Sequence, residues 1–269
     1  MEPNPTWDKW TDWLGKEAKP GTIYKDVVDM RAARRVWEGF QTIVGVAPEE
    51  ARKYSTFHSW VNGNYIRSQG LAVRRQIDVS NEVVSLGRLL TRIADAPNVL
   101  TRERYLAELH PDDPGLGNLF FDSLVGPGAK AIDPATPLAH LAELKKKTAK
   151  VRDWVSNEVA HYNSKTGQFS EGLTFGDVHR AMDLVFETLN HYNRLILGST
   201  TSGSVVMDPW EAVFRVAWIP DDDDGRHVAL TQQEADDRRT SNPSLARLAM
   251  GQSISLRVRR GLCGLTSRR

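Results

Sequence analysis

Apolar side chains recur every three to four residues over most of the first 200 positions, the repeat of helices that each turn one face to a core. Val28, Ala32, Val36, Phe40 and Ile43 predict a helix over about 26–44. Phe57, Trp60, Val61, Asn64, Ser68 and Leu71 fall on one stripe of a longer helix, about 48–76, opened by Pro48 with Glu49 and Glu50 in its first turn. Gly63 and Gly70 weaken that helix or let another approach it. Val83, Leu86, Leu90 and Ile93 mark a helix that stops before Pro97. Residues 97–137, rich in Pro, Gly and Asp, read as an irregular insertion with short helices near 101–109 and 116–125. Two strong helices follow, about 137–163 and 175–197, the second opened by a capping box of Thr174 and Asp177. They are expected to pack antiparallel.

The ends differ. Trp7, Trp10 and Trp13 sit at helical spacing, either as a docking strip for a partner or as a short helix lying on the chain's own core. Trp210 to Ile219 reads as a short strand or helix. From Asp221 the chain is polar, and beyond Ser244 it carries Arg247, Arg257, Arg259, Arg260, Arg268 and Arg269 with no acid. The expected fold is all-α: an extension over 1–25, an up-down helical bundle over 26–200 with an irregular insertion, and a loosely ordered, partly disordered extension over 201–269.

Composition narrows the function classes. Of 269 residues, 40% are hydrophobic and 26% charged, and the net charge of +1 excludes a chain that binds nucleic acid by bulk charge. One cysteine, Cys263, rules out an internal disulfide and fits a reducing, cytoplasmic setting. No stretch predicts a membrane span, and no leader pattern is seen at the N-terminus. Phosphate loops, dinucleotide fingerprints and zinc motifs are missing, so neither a metal nor a small-molecule cofactor is expected. Asp221–Asp224 lack the glycine and glutamate offsets of a calcium loop, and Cys263 has no histidine near it in sequence.

Two stretches carry a resemblance. The first is Gly-Leu-Ala-Val-Arg-Arg-Gln-Ile-Asp (70–78), followed by Val-Ser-Leu-Gly-Arg-Leu-Leu (84–90). The second is Val-Arg-Asp-Trp-Val-Ser-Asn-Glu-Val-Ala-His-Tyr-Asn (151–163). In their order they resemble the HEPN superfamily, most of all its abortive-infection U-type branch, over about 26–197. The resemblance implies a homodimer and, in active members, a metal-independent endoribonuclease of phage defence or a toxin–antitoxin system. RNA and a protein antitoxin are then the implied partners. Such enzymes pair an arginine and a histidine four to six residues apart on one helix. His161 is the histidine here, but Trp154, Val155 and Ser156 stand where the arginine belongs, so the motif is degenerate. On an uninterrupted α-helix Asn157 shares the face of His161, while Arg152, nine residues back, points the other way. The catalytic candidates are therefore His161 and Asn157, with Arg67, Arg74 and Arg75 as phosphate ligands. The alternative is an inactive, dimeric helical interaction module, in which Arg74, Arg75, Asp78 and Arg88 merely fix the turn between two helices.

Overall fold

The computed structural model describes residues 4–15, 19–46, 55–160, 172–200 and 209–215. The chain divides into two compact units, Met1–Glu211 and Ala212–Arg269. Of the second, only the backbone at its start is described, as part of a 3₁₀ turn over Trp210–Arg215. The expected loosely ordered extension otherwise lies outside the described residues, as do Cys263, Asp221–Asp224 and the arginine-rich tail.

The first unit is an all-α bundle. Among the described residues its nine α-helices are α1 (Pro5–Leu14), α2 (Ile23–Val46), α3 (Ser55–Ile77), α4 (Leu86–Asp95), α5 (Arg102–Leu109), α6 (Pro114–Val125), α7 (Ala135–Lys147), α8 (Ala149–Trp154) and α9 (Phe175–Leu197). A 3₁₀ turn over Pro97–Val99 follows α4, and the described residues contain no strand beyond a single bridge, Thr101 to Ala131.

Local chemistry sets the ends. The Asn4 carboxamide accepts from the Thr6 and Trp7 amides at 3.0 and 3.1 Å, and Gly15 closes α1 in the left-handed region at φ +91°. Ser85 caps α4 by accepting from the Arg88 amide at 3.1 Å. The capping box of α9 forms as expected: the Asp177 amide donates to the Thr174 hydroxyl at 3.1 Å, and the Thr174 amide returns a bond to the Asp177 carboxylate at 3.0 Å.

α9 is the central strut, packing against α1, α2, α3, α7 and α8. Its buried stripe is Val178, Met182, Val185, Leu189, Tyr192 and Ile196, and it meets Leu86, Leu89, Leu90 and Ile93 of α4, Leu144 of α7 and Val151 and Val155 around α8 in one core. α7 and α8 run antiparallel to α9, since His140 bonds Tyr192 while Lys150, further along, pairs with Asp177. Trp7 and Trp10 are 5% and 1% exposed within that same core, so α1 covers the chain's own bundle and is not a docking strip.

The helix expected over 137–163 is broken. Thr148, fully buried, turns its hydroxyl back to the Leu144 carbonyl at 2.7 Å, and the backbone leaves helical geometry there. The chain re-enters as α8 and then widens into a π-helical segment over Val155–Ala160. Facing it, Gly70 of α3 lets α8 come close: a Cβ there would lie 2.8 Å from Val155 Cγ2 and 3.4 Å from the Trp154 ring.

Candidate functional site

The segment 74–88 forms a joint, built largely by hydrogen bonds. Gln76, with no exposed surface, donates to Asp26 of α2 at 2.8 Å and accepts from the Leu86 amide at 3.2 Å. Arg75 joins the same Asp26 oxygen at 2.7 Å. The Ser85 hydroxyl donates to the Asp78 carbonyl. Arg88 donates to the Val83 carbonyl at 2.7 Å and lies over the Trp13 ring at 4.5 Å. One carboxylate from α2 and one buried amide thus hold the ends of α3 and α4 together. Arg75 is tied to that joint through its Nε, while its side chain stays 54% exposed.

Arg74 points elsewhere. With Ile77, Asp78, Arg152, Asp153 and Ser156 it lines a polar cleft of about 340 Å³ between the end of α3 and α8. Arg74 and Arg152 form no ion pair among the described residues, and the Nε of Arg152 is buried without a partner. The structure therefore brings Arg152, set aside on α-helical geometry, next to Arg74. Between Val155 and Ala160 the faces no longer follow α-helical spacing, because the π segment turns less per residue than an α-helix. Asn157 is exposed on that segment. His161 lies outside the described residues. Arg67 is exposed two turns before Arg74 on the same side of α3, its guanidinium folded back toward Gly63.

The stripe that the sequence marks on α3 faces solvent at its three largest apolar positions. Phe57 is 56% exposed, Trp60 64% and Leu71 42%, and their rings and side chains alternate with exposed Asn64, Arg67 and Arg74. The buried face of α3 is a different one: Tyr65, Gln69, Gly70, Val73, Gln76 and Ile77.

Two further clusters of titratable groups escaped the sequence reading. Where α2, α3 and α9 meet, the Trp37 indole stacks on Tyr65 at 4.8 Å and on Phe175 at 4.6 Å, and the Tyr65 hydroxyl shares a hydrogen bond of 2.9 Å with His179 Nε2. Arg34 caps the cluster, bonding Glu38 at 2.8 Å and Asp183 at 2.9 Å. Burial pushes the Tyr65 hydroxyl well above its ordinary pKa, and burial together with the Arg34 charge lowers that of His179, so both are neutral near pH 7. The second cluster joins His140 of α7 to Tyr192 and His191 of α9. The i, i+4 pairs Arg34–Glu38 and His179–Asp183 were visible in sequence, but nothing there says that these turns meet.

A separate cavity of about 330 Å³ is lined by Tyr105, His110, Phe120, Arg194 and their neighbours. Among the described residues no cluster of three His, Cys, Asp or Glu is placed to hold a metal ion, and no helix is long and apolar enough to cross a membrane. Comparison of the chain with family models, with curated proteins and with solved structures returned no match.

Proposed function

We propose that this chain is a self-associating helical interaction module whose docking face is the outer stripe of α3. One observation carries the reading: Phe57, Trp60 and Leu71 are exposed on one face of a long helix, at the spacing that another helix buries. A helix of a monomeric bundle ordinarily turns such a stripe inward, whereas α3 turns inward a set that includes Gly70 and the buried amides of Gln69 and Gln76. The test is the molar mass of the full chain by light scattering over roughly 1–100 μM, the range of ordinary weak self-association. The wild type runs as a dimer at the upper end and Trp60→Glu as a folded monomer. A wild type that stays monomeric throughout overturns the module.

A second reading follows the resemblance to the HEPN superfamily, in which the chain cuts or grips RNA. The pairing of Arg74 with Arg152 in one cleft beside the π-helical segment favours it. Asp78 and Asp153 on the same walls offset that charge, which places this reading second.

A further inference from the structure

We infer that the cavity where α5, α6 and α9 meet binds a small aromatic carboxylate, its carboxylate held by Arg194 and the Tyr105 hydroxyl and its ring laid against Phe120. None of the lining residues belongs to α3, so this site is separate from the docking face. Close approach of two helices builds it. Gly117 lets the first turn of α6 lie on the end of α5, since a Cβ there would sit 2.8 Å from His110 Cβ. That approach sets the His110 imidazole between two rings, with centroids 5.3 Å from Tyr105 and 5.5 Å from Phe120. The last turn of α9 supplies Arg194. The space is about 330 Å³, near the lower end of ligand sites (~300–1,000 Å³).

The Tyr105 hydroxyl points to a ligand. Among the described residues three tyrosines are buried, Tyr65, Tyr105 and Tyr192. Tyr65 and Tyr192 each bond a histidine at 2.9 Å. Tyr105 is 1% exposed, yet its hydroxyl has no hydrogen-bond partner among the described residues, and it lines the cavity. A buried hydroxyl is ordinarily bonded, and an unmet one costs stability. Burial raises the Tyr105 pKa against the pull of the Arg194 charge, so near pH 7 the group is an O–H donor with a guanidinium close by.

The remaining lining selects the chemical class. Arg194 enters no ion pair among the described residues, and its Nε makes one long bond, 3.4 Å, to the Asn190 carbonyl. No described lining residue is acidic. A cationic ligand is therefore repelled, and a neutral one leaves both donors unmet. A single guanidinium and one hydroxyl match a carboxylate, which a guanidinium can grip through two parallel bonds, better than a doubly charged phosphate. The rest of the wall is apolar and aromatic: Leu124 lines it, and Phe120 keeps 45% of its surface exposed. An aromatic ring covers that face by stacking.

The experiment is calorimetric titration of the full chain with three probes: 2-naphthoate, its uncharged amide 2-naphthamide, and decanoate, an aliphatic acid. The wild type binds 2-naphthoate with a Kd on the order of 100 μM, ordinary for a ligand of this size. The amide and decanoate each bind at least tenfold more weakly. Arg194→Gln, a change at an exposed side chain, weakens 2-naphthoate at least tenfold and brings acid and amide level. Tyr105→Phe weakens the acid about fivefold, the worth of one hydrogen bond. It leaves the unfolding midpoint where it was, because the hydroxyl has no partner in the described protein to lose. Both variants are checked for fold by circular dichroism, and the comparison of acid with amide decides in the wild type alone should either fail to fold. No binding of 2-naphthoate at millimolar concentration, equal binding of the amide, or an affinity unmoved in folded Arg194→Gln overturns the site. Equal binding of decanoate overturns the aromatic class.

Discussion

His191 of α9 meets His140 of α7 edge to face, with ring centroids 5.1 Å apart, and its Nε2 is buried without a hydrogen-bond partner. Burial, helped by the His140 ring and the Arg194 charge, holds the His191 pKa down to about 4. His140, bonded to the Tyr192 hydroxyl at 2.9 Å, is lowered in the same way by burial, against the pull of Glu143. Above about pH 6.5 His191 is neutral folded or unfolded and costs nothing. Between 6.5 and about 4 the unfolded chain takes a proton that the folded chain refuses, so stability falls as pH falls. The loss tends to roughly 3 kcal/mol at ~1.4 kcal/mol per pH unit. Urea unfolding at pH 7, 6, 5 and 4.5 measures it. His191→Asn should flatten the slope over this window, and an unchanged slope would show that the pair is solvated.

Gly87 sits in the first turn of α4, where the Ser-Leu-Gly-Arg motif meets the end of α3. A Cβ there would lie 2.7 Å from the Ile77 carbonyl oxygen and 3.0 Å from that of Asp78, both backbone atoms that cannot swing aside. Gly87→Ala gains helix propensity worth about 1 kcal/mol but drives α4 off the joint held by Gln76 and Ser85. The expected net cost is about 2 kcal/mol, in the usual range for overpacking. Stabilisation by this substitution, in thermal or chemical unfolding, would mean that α3 and α4 are further apart than described.

How far the sequence showed this depends on what marks each buried face. On α9 the apolar stripe from Val178 to Ile196 is the buried face, because one strongly amphipathic helix has one way to sit in a core. On α3 hydrophobicity marks the wrong side, since the inward face is carried by close approach at Gly70 and by hydrogen-bonded Gln76. The break at Thr148 is hidden for a similar reason: a threonine continues the helical pattern, and only its bond to Leu144 reveals the bend. The candidate site was less legible still. Arg75 is taken by Asp26, 49 positions away in sequence, and Arg152 joins Arg74 because α8 packs on α3. Neither fact has a local signal.

Arg102 fastens the irregular region to itself. Its guanidinium donates to the Ala129 carbonyl at 2.8 Å, to Asn118 at 2.9 Å and to Asp122 at 2.5 Å, and it lies over the Phe121 ring at 4.7 Å. Asp122 also accepts from the Gly128 amide at 3.0 Å, and the Arg102 bond above all holds its carboxyl below the usual carboxylate range. Arg102→Ala strips these partners together and should cost about 2–3 kcal/mol, the range for charged hydrogen bonds whose partners are left behind. Arg102→Lys should recover little, since one ammonium cannot span three acceptors. Chemical unfolding of both variants checks this, and a loss under 0.5 kcal/mol (about the noise of surface substitutions) would show the contacts to be ornamental.

The last prediction separates the two functional readings. Without added metal, the wild-type chain is expected to leave RNA uncut. Among the described residues the cleft of Arg74 and Arg152 is lined by no histidine, and each arginine shares it with an aspartate, Asp78 or Asp153, so these residues offer a phosphate little net charge. Catalysis at that place therefore depends on His161, supplied to the cleft from the same copy or a second one. The assay runs a mixed panel of structured and single-stranded RNAs with wild type, His161→Ala, Arg74→Ala and Arg152→Ala, each checked for helical content by circular dichroism. Cleavage by the wild type that falls 10²–10⁴-fold in His161→Ala, the scale of general acid–base catalysis, would reverse the order of the two readings. Loss in Arg74→Ala and Arg152→Ala as well would place the reacting phosphate between α3 and α8. Cleavage that survives in His161→Ala would belong to a contaminant or to another site, and the degenerate motif would then have no part in it.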